Sequence, residues 1–278
     1  MNYGELVKKS LDIMWKFKYL WIFGFFAEWG SGGGAGNIPG ESRDRLGGFL
    51  LDINPAIILT LILIALAVFV LFLVLYIISK GGLIHSIAKI NGGESSSLGE
   101  GWRSGLKNFW RLLGIWVLLV LSGITFALLI IGPLIAFFII SLPLGILSAV
   151  VLIPLFIAGI IALILIGIYA DRICVLEQKG IIDSIAEGWN TLKKNLGQSI
   201  IVGLISIASY IVFIIGFLIV GAMLAIPFVV MGFINLVVGL GLGIMVALIY
   251  IVITTGIWGA YAYSLWTLTY LDLKRLKT

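Results

Sequence analysis

The side chains able to do chemistry are few, and their spacing does not favour it. One histidine, His85, and one cysteine, Cys174, occur in 278 residues. A zinc site takes three or four ligands, mostly His and Cys, so no metal centre is expected. A nucleophilic triad would have to use His85 as its base, and no Gly-x-Ser-x-Gly elbow is present to hold the nucleophile. The carboxylates Glu94, Glu100, Asp171, Glu177, Asp183 and Glu187 could include an acid–base pair, but Lys and Arg residues lie nearby for them to balance. Asp171-Arg172 reads most simply as an interfacial charge pair, and His85 as a solvated side chain between Lys80 and Lys89. The glycine-rich stretch 30–48 lacks a preceding strand and a closing Gly-Lys-Ser or Gly-Lys-Thr, so it is not a phosphate loop. No catalytic, metal-ligating or cofactor-binding residue is expected.

The elements that would carry these residues are apolar. Hydrophobic residues make up 61% of the chain and charged residues 11%, with mean hydropathy +1.20; soluble domains carry about 25% charged residues. Leu112 to Ala170 and Ser199 to Leu271 contain no Asp, Glu, Lys, Arg or His. A spanning helix needs roughly 20 apolar residues, so each stretch holds two. The net charge of +5 does not indicate nucleic acid, because the basic residues flank apolar spans, where anionic head groups lie. The single cysteine forms no intrachain disulfide. A cleaved signal peptide is not expected: Lys16 and Lys18 interrupt the first apolar run, and Glu28 and Trp29 follow it.

Six spans are expected, at 13–29, 55–79, 110–131, 146–170, 199–220 and 244–268, within one membrane domain over 1–278. With six, every Lys and Arg except Arg43 and Arg45 falls on one side, and the positive-inside rule makes that side, with both termini, cytoplasmic. The segments 132–145 and 221–242 then become membrane-embedded or interfacial connectors, marked by Pro133 and Pro143 in one and by Pro227, Gly239, Gly241 and Gly243 in the other. Residues 30–54 form a flexible external loop.

The spans are organised by a repeat. Ser10, Ser97 and Ser184 stand 87 residues apart, each followed by a tryptophan (Trp15, Trp102, Trp189) and then by a long apolar run. Ser97 and Glu100 have capping-box spacing, as do Ser184 and Glu187, while copy one has Ile13 in place of the glutamate. Each copy opens with an amphipathic helix carrying a tryptophan on its apolar face and basic residues elsewhere, which suits the head-group plane. The serines and glutamates read as caps and the tryptophans as interfacial anchors. The expected fold is all-α: three parallel helical hairpins, approximately 4–79, 93–170 and 180–268, each preceded by a cytoplasmic interfacial helix, around a pseudo-threefold axis.

Spans two to six hold no charge, which argues against an ion-coupled carrier. If an intramembrane cavity exists, Pro133, Pro143, Pro154, Pro227 and Asn235 are the residues to line it. Gly239 with Gly243, and Gly256 with Ala260, have the small-xxx-small spacing that lets helices approach.

The opening Ser10-Leu11-Asp12-Ile13-Met14-Trp15-Lys16-Phe17-Lys18-Tyr19-Leu20-Trp21-Ile22-Phe23-Gly24 and the later Ser-x-x-Glu-Gly-Trp copies resemble a broad group of uncharacterised prokaryotic membrane proteins. That group resembles the membrane domain found beside some glycerophosphodiester phosphodiesterases. The resemblance implies a six-helix membrane fold. The catalytic chemistry of those enzymes needs paired histidines with carboxylates and a metal, so no catalytic residue carries over to a chain with one histidine. The expected role is a non-enzymatic cell-membrane protein that organises or binds lipid, or that engages a membrane-protein partner or further copies of itself, with no nucleic acid involved. A carrier of a lipidic or apolar molecule is the first alternative. An enzyme acting on lipid at the cytoplasmic face, through residues such as Glu100 and Glu187, is the second.

Overall fold

A computed structural model describes residues 1–29 and 55–275, with the side chain of Trp29 left out. The expected external loop 30–54, with Arg43 and Arg45, lies outside the described residues, as does Lys277. The described residues form eight helices: α1 (Tyr3–Lys16), α2 (Leu20–Trp29), α3 (Pro55–Asn91), α4 (Leu98–Ile140), α5 (Leu142–Glu177), α6 (Ile181–Lys194), α7 (Leu196–Ile234) and α8 (Leu236–Arg275). Five of them, α3, α4, α5, α7 and α8, are long and apolar enough to cross a membrane, which makes the chain a multi-pass membrane protein.

The first expected span, 13–29, is not one helix. α1 ends at Lys16, and α2 begins at Leu20. α1 buries Leu6, Ser10, Ile13 and Met14 and exposes Lys8, Lys9, Asp12 and Lys16. That spacing gives a single buried stripe, and the stripe would rotate to the wrong side if the helix ran straight into the next apolar segment. The break at Phe17–Tyr19 resets it. α2 then covers ten residues, about 15 Å at 1.5 Å per residue, too short to cross the hydrocarbon by itself.

The connectors also differ from expectation. Residues 132–145 and 221–242 are neither re-entrant nor interfacial coil. α4 runs through Pro133 to Ile140, and α7 runs through Pro227 to Ile234. Each hairpin turns on one residue. Ser141 ends α4 and caps α5, its Oγ accepting the Leu144 N–H at 3.4 Å. Asn235 ends α7, and its Oδ1 accepts the Val238 N–H at 3.2 Å at the start of α8. The physical reason is the surrounding hydrocarbon. A proline forfeits one helical hydrogen bond, whereas unwinding a segment there would strand many backbone groups. Pro143 sits in the first turn of α5, where no helical N–H bond is lost. Gly239 allows the sharp second hairpin, since a Cβ there would fall 2.4 Å from the Gly232 nitrogen.

The helices are long for their task. α4 has 43 residues and α8 has 40, about 60–65 Å each, against a hydrocarbon core of about 30 Å. Tilt takes up part of the excess, and the polar ends of the helices take up more by extending past the lipid. α3 shows this plainly: it does not stop at residue 79 but continues to Asn91, burying Tyr76 to Ser79, Lys80 to Ile84, Ser86 and Ile87.

Packing is concentrated near one end. α3 docks on the first turns of α4, α5 on α6, and α8 on α1 and α2, while α3, α5 and α8 meet one another at the centre. Glycines set the close approaches. Gly81 and Gly82 of α3 lie against Gly105 and Gly101 of α4, Gly188 of α6 lies against Ile166 and Ala170 of α5, and Gly24 of α2 lies against Gly256 and Gly259 of α8. The core formed there includes Phe23, Leu83, Ile87, Tyr169, Ile173, Leu265 and Leu273. Beyond it the hairpins separate. Ile139 is 81% exposed and Phe233 88% exposed at the two turns. In water such a surface would aggregate; in hydrocarbon it is the lipid-facing surface.

Candidate functional site: a buried charge cluster where three helices meet

Where α3, α5 and α8 converge, the apolar core contains charge. Lys80 of α3 and Asp171 and Arg172 of α5 are each more than nine-tenths buried. Lys80 Nζ lies 2.7 Å from Asp171 Oδ2 and 5.2 Å from the ring centre of Tyr76. Arg172 turns the other way. Its guanidinium donates to the Ile168 carbonyl at 2.7 Å and stands 5.6 Å from the ring centre of Tyr263 on α8. Asp171 Oδ1 and Arg172 Nε have no hydrogen-bond partner. The three side chains sum to one net positive charge, held by one ion pair and two aromatic faces.

This arrangement corrects the expectation for Asp171-Arg172. Consecutive helical residues point about 100° apart and do not face each other, so Asp171 pairs across helices with Lys80 instead of with its neighbour. It also relocates Lys80 from a cytoplasmic loop to a helix interior. The sequence did hold a signal: past Lys80, the run Gly81-Gly82-Leu83-Ile84 continues apolar and small, which suits a buried helix rather than a loop. His85, further along α3, is half-buried; burial and the neighbouring Lys89 lower its pKa.

The cluster ties helices together and offers little for bond chemistry. A buried pair gains Coulomb energy at a desolvation cost of similar size. Its structural effect is that neither partner tolerates the other's loss, which fixes the register of α3 against α5.

A second polar layer lies at the ends of the same helices. Glu100 accepts from Lys89 at 2.9 Å, and Glu187 accepts from Lys179. The carboxylates at equivalent repeat positions are thus each held by a lysine from the end of the preceding long helix or just beyond it. Ser97 is the N-cap of α4, its Oγ accepting the Glu100 N–H at 3.3 Å, but the Glu100 carboxylate goes to Lys89 rather than back to the cap. Ser184 does not cap α6. The short 178–180 connection starts that helix at Ile181 with Gly180 as the N-cap, which carries Ser184 into the buried second turn. Trp15, Trp102 and Trp189 are 62%, 36% and 47% exposed, so all three face outward.

Glu177, at the end of α5, joins Lys274 at 2.7 Å, Lys179 at 3.0 Å and the Tyr270 hydroxyl. Burial alone would raise its pKa, but the hydrogen bonds from Lys274, Tyr270 and Lys179 outweigh this and bring it from 4.5 to about 2. A carboxyl with a lower pKa in the folded state stabilises that state above its unfolded value, and the contribution fades as pH falls through the folded one. Thermal unfolding in detergent should therefore weaken as pH drops from about 4.5 towards about 2, and Glu177→Gln should flatten that part of the profile. An identical acid limb in both proteins would place the effect elsewhere.

Pro133, Pro143, Pro154, Pro227 and Asn235 are all exposed on the hairpins, and none of them lines the cleft between α7 and α8. The helices stay intact through Pro133, Pro154 and Pro227, so no interior opens at them. An apolar cleft lies between α7 and α8. It measures about 830 Å³ and is lined by Phe217, Gly221, Ala225, Phe228, Gly243 and Tyr250 among others. Small residues there leave room between two closely paired helices, and the Tyr250 hydroxyl is satisfied by the Phe217 carbonyl at 2.8 Å.

Comparison with curated proteins and with solved structures finds no match. Residues 14–272, nearly the whole chain, match a family of unknown function (DUF7544), and the chain belongs to that family.

Proposed function

We propose that this chain is a non-enzymatic protein of the cell membrane that binds and organises lipid. Three tandem units cross the bilayer, and both termini are cytoplasmic. The observation that carries the reading is the division of the molecule. Several of its charged groups near the packed end are engaged with one another, as in Lys80–Asp171, Lys89–Glu100 and Lys179–Glu187, while the separated hairpins present apolar faces and an apolar cleft to the hydrocarbon. Glutamates already held by lysines suit a supporting role better than proton transfer. The repeat is supported by the ring of contacts in which the return helix of each unit packs on the opening helix of the next. The resemblance to membrane domains that accompany glycerophosphodiester phosphodiesterases fits a lipid-facing role without the enzyme. A second membrane protein, or another copy of this chain, could occupy the same apolar faces. The cleft between α7 and α8 favours one further reading, a carrier of an apolar molecule.

Native mass spectrometry of protein extracted in mild detergent tests the first reading. Retained lipid is the expected result, and a bare chain without lipid or partner counts against it. In the same material, Trp102→Ala and Trp189→Ala should each lower stability in lipid by on the order of 1 kcal/mol, the value of a partly buried aromatic. Unchanged melting in lipid would mean that these side chains do not seat the bundle.

A further inference from the structure

The first four turns of α4 carry two parallel exposed stripes. Trp102, Leu106 and Trp110 recur every four residues, and Trp110 is 77% exposed. Arg103, Lys107 and Arg111 recur at the same interval one position on, and all three are exposed. The opposite face, with Gly101, Gly105, Asn108 and Leu112, is buried in the bundle. α4 continues without a break into its apolar span, so the helix holds both stripes rigidly where the chain enters hydrocarbon.

Among the described residues the basic stripe has no acidic counterpart. The nearby carboxylate Glu100 is engaged with Lys89. Among the described residues Arg103 and Lys107 make no ion pair, and Arg111 donates to the Gln178 carbonyl at 3.1 Å. Three cations thus follow one another over about 12 Å, beside indoles suited to the boundary between head group and acyl chain. The corresponding surfaces lack the four-residue basic repeat: Trp189 is followed by Asn190, with exposed Lys193 and Lys194 only at the end of α6, and Trp15 by a single exposed lysine before the break that ends α1.

We infer that the start of α4 is a binding site for an anionic phospholipid, whose phosphate is held by Arg103, Lys107 and Arg111 and whose glycerol and upper acyl region lie on Trp102, Leu106 and Trp110. The inference rests on the lipid-binding reading above and names the lipid class and the place. Charge complementarity selects this occupant: an apolar partner would leave three cations unanswered, and a soluble anion would leave the indoles exposed.

The test is native mass spectrometry of the full chain equilibrated with bicelles containing equal phosphatidylglycerol and phosphatidylcholine. At low salt the wild type should favour phosphatidylglycerol about a hundredfold, as three juxtamembrane basic residues provide. R103Q/K107Q/R111Q should fall to near parity, R103K/R111K should keep most of the preference, and K8Q/K9Q should leave it intact. Unchanged melting of the triple variant checks that its fold persists. Equal retention of both lipids by the wild type overturns the inference while leaving the lipid-binding reading in place. Equal losses in the triple variant and in K8Q/K9Q overturn it in favour of a diffuse basic rim. Displacement of phosphatidylglycerol by millimolar inorganic phosphate overturns it in favour of a soluble anion. Loss of all lipid from every protein removes the lipid-binding reading together with the inference.

Discussion

Asp171→Leu is expected to destabilise the folded protein by about 3–5 kcal/mol, the cost of breaking a buried pair by removing one partner. The substitution leaves Lys80 and Arg172, both buried, as two cations with no anion between them. Lys80→Met should cost less, because Arg172 then remains beside Asp171 as a partial counter-charge. The double change Lys80→Met with Asp171→Leu should recover much of the loss, since apolar replacements of buried pairs are often neutral. A double-mutant cycle in bicelles, read by reversible unfolding, measures the coupling. Additive effects of the two single changes would show that the 2.7 Å contact does not hold α3 to α5. The contact matters because α3 and α5 are two of the three helices that meet at the packed end.

The second large effect is expected at the crossing of α2 and α8. A Cβ on Gly259 would stand 2.3 Å from the Gly24 carbonyl oxygen, and one on Gly256 would stand 2.4 Å from the Trp21 carbonyl oxygen. Both neighbours are backbone, which cannot swing aside as a side chain can. Gly259→Val should cost about 3 kcal/mol, the upper end for overpacking, and should detach α2 from the core that Leu20, Phe23 and Ala27 help to build. Gly203→Val is the control, since open space surrounds that position. Equal melting temperatures for the two variants would mean that α2 is not seated as described.

The two experiments bear on the parts of the molecule that were hardest to read in advance. Class and rough span positions were legible, because an uncharged run such as Leu112–Ala170 has one stable solution in lipid. The outward tryptophans and the Ser97 cap were legible for a related reason: each depends on residues within one or two turns. The break in 13–29, the continuity of the helices through Pro133 and Pro227, and the burial of Lys80 were not. Each depends on surroundings that local spacing does not display. Nothing near Lys80 announces Asp171, 91 positions on, and adjacency in sequence pointed Asp171 at Arg172 instead. The prolines misled because their cost depends on the solvent. In water, coil is a cheap alternative to a strained helix, whereas in hydrocarbon it is not.

By itself, then, the order of residues determined that this is a helical membrane protein, since hydropathy and local spacing act over a few turns and need no partner. Only the tertiary structure decided which charges sit inside, which glycines are contact points and where the hairpins part. Those outcomes depend on surfaces brought together from separate units, and desolvation and close packing take effect only after the helices have met.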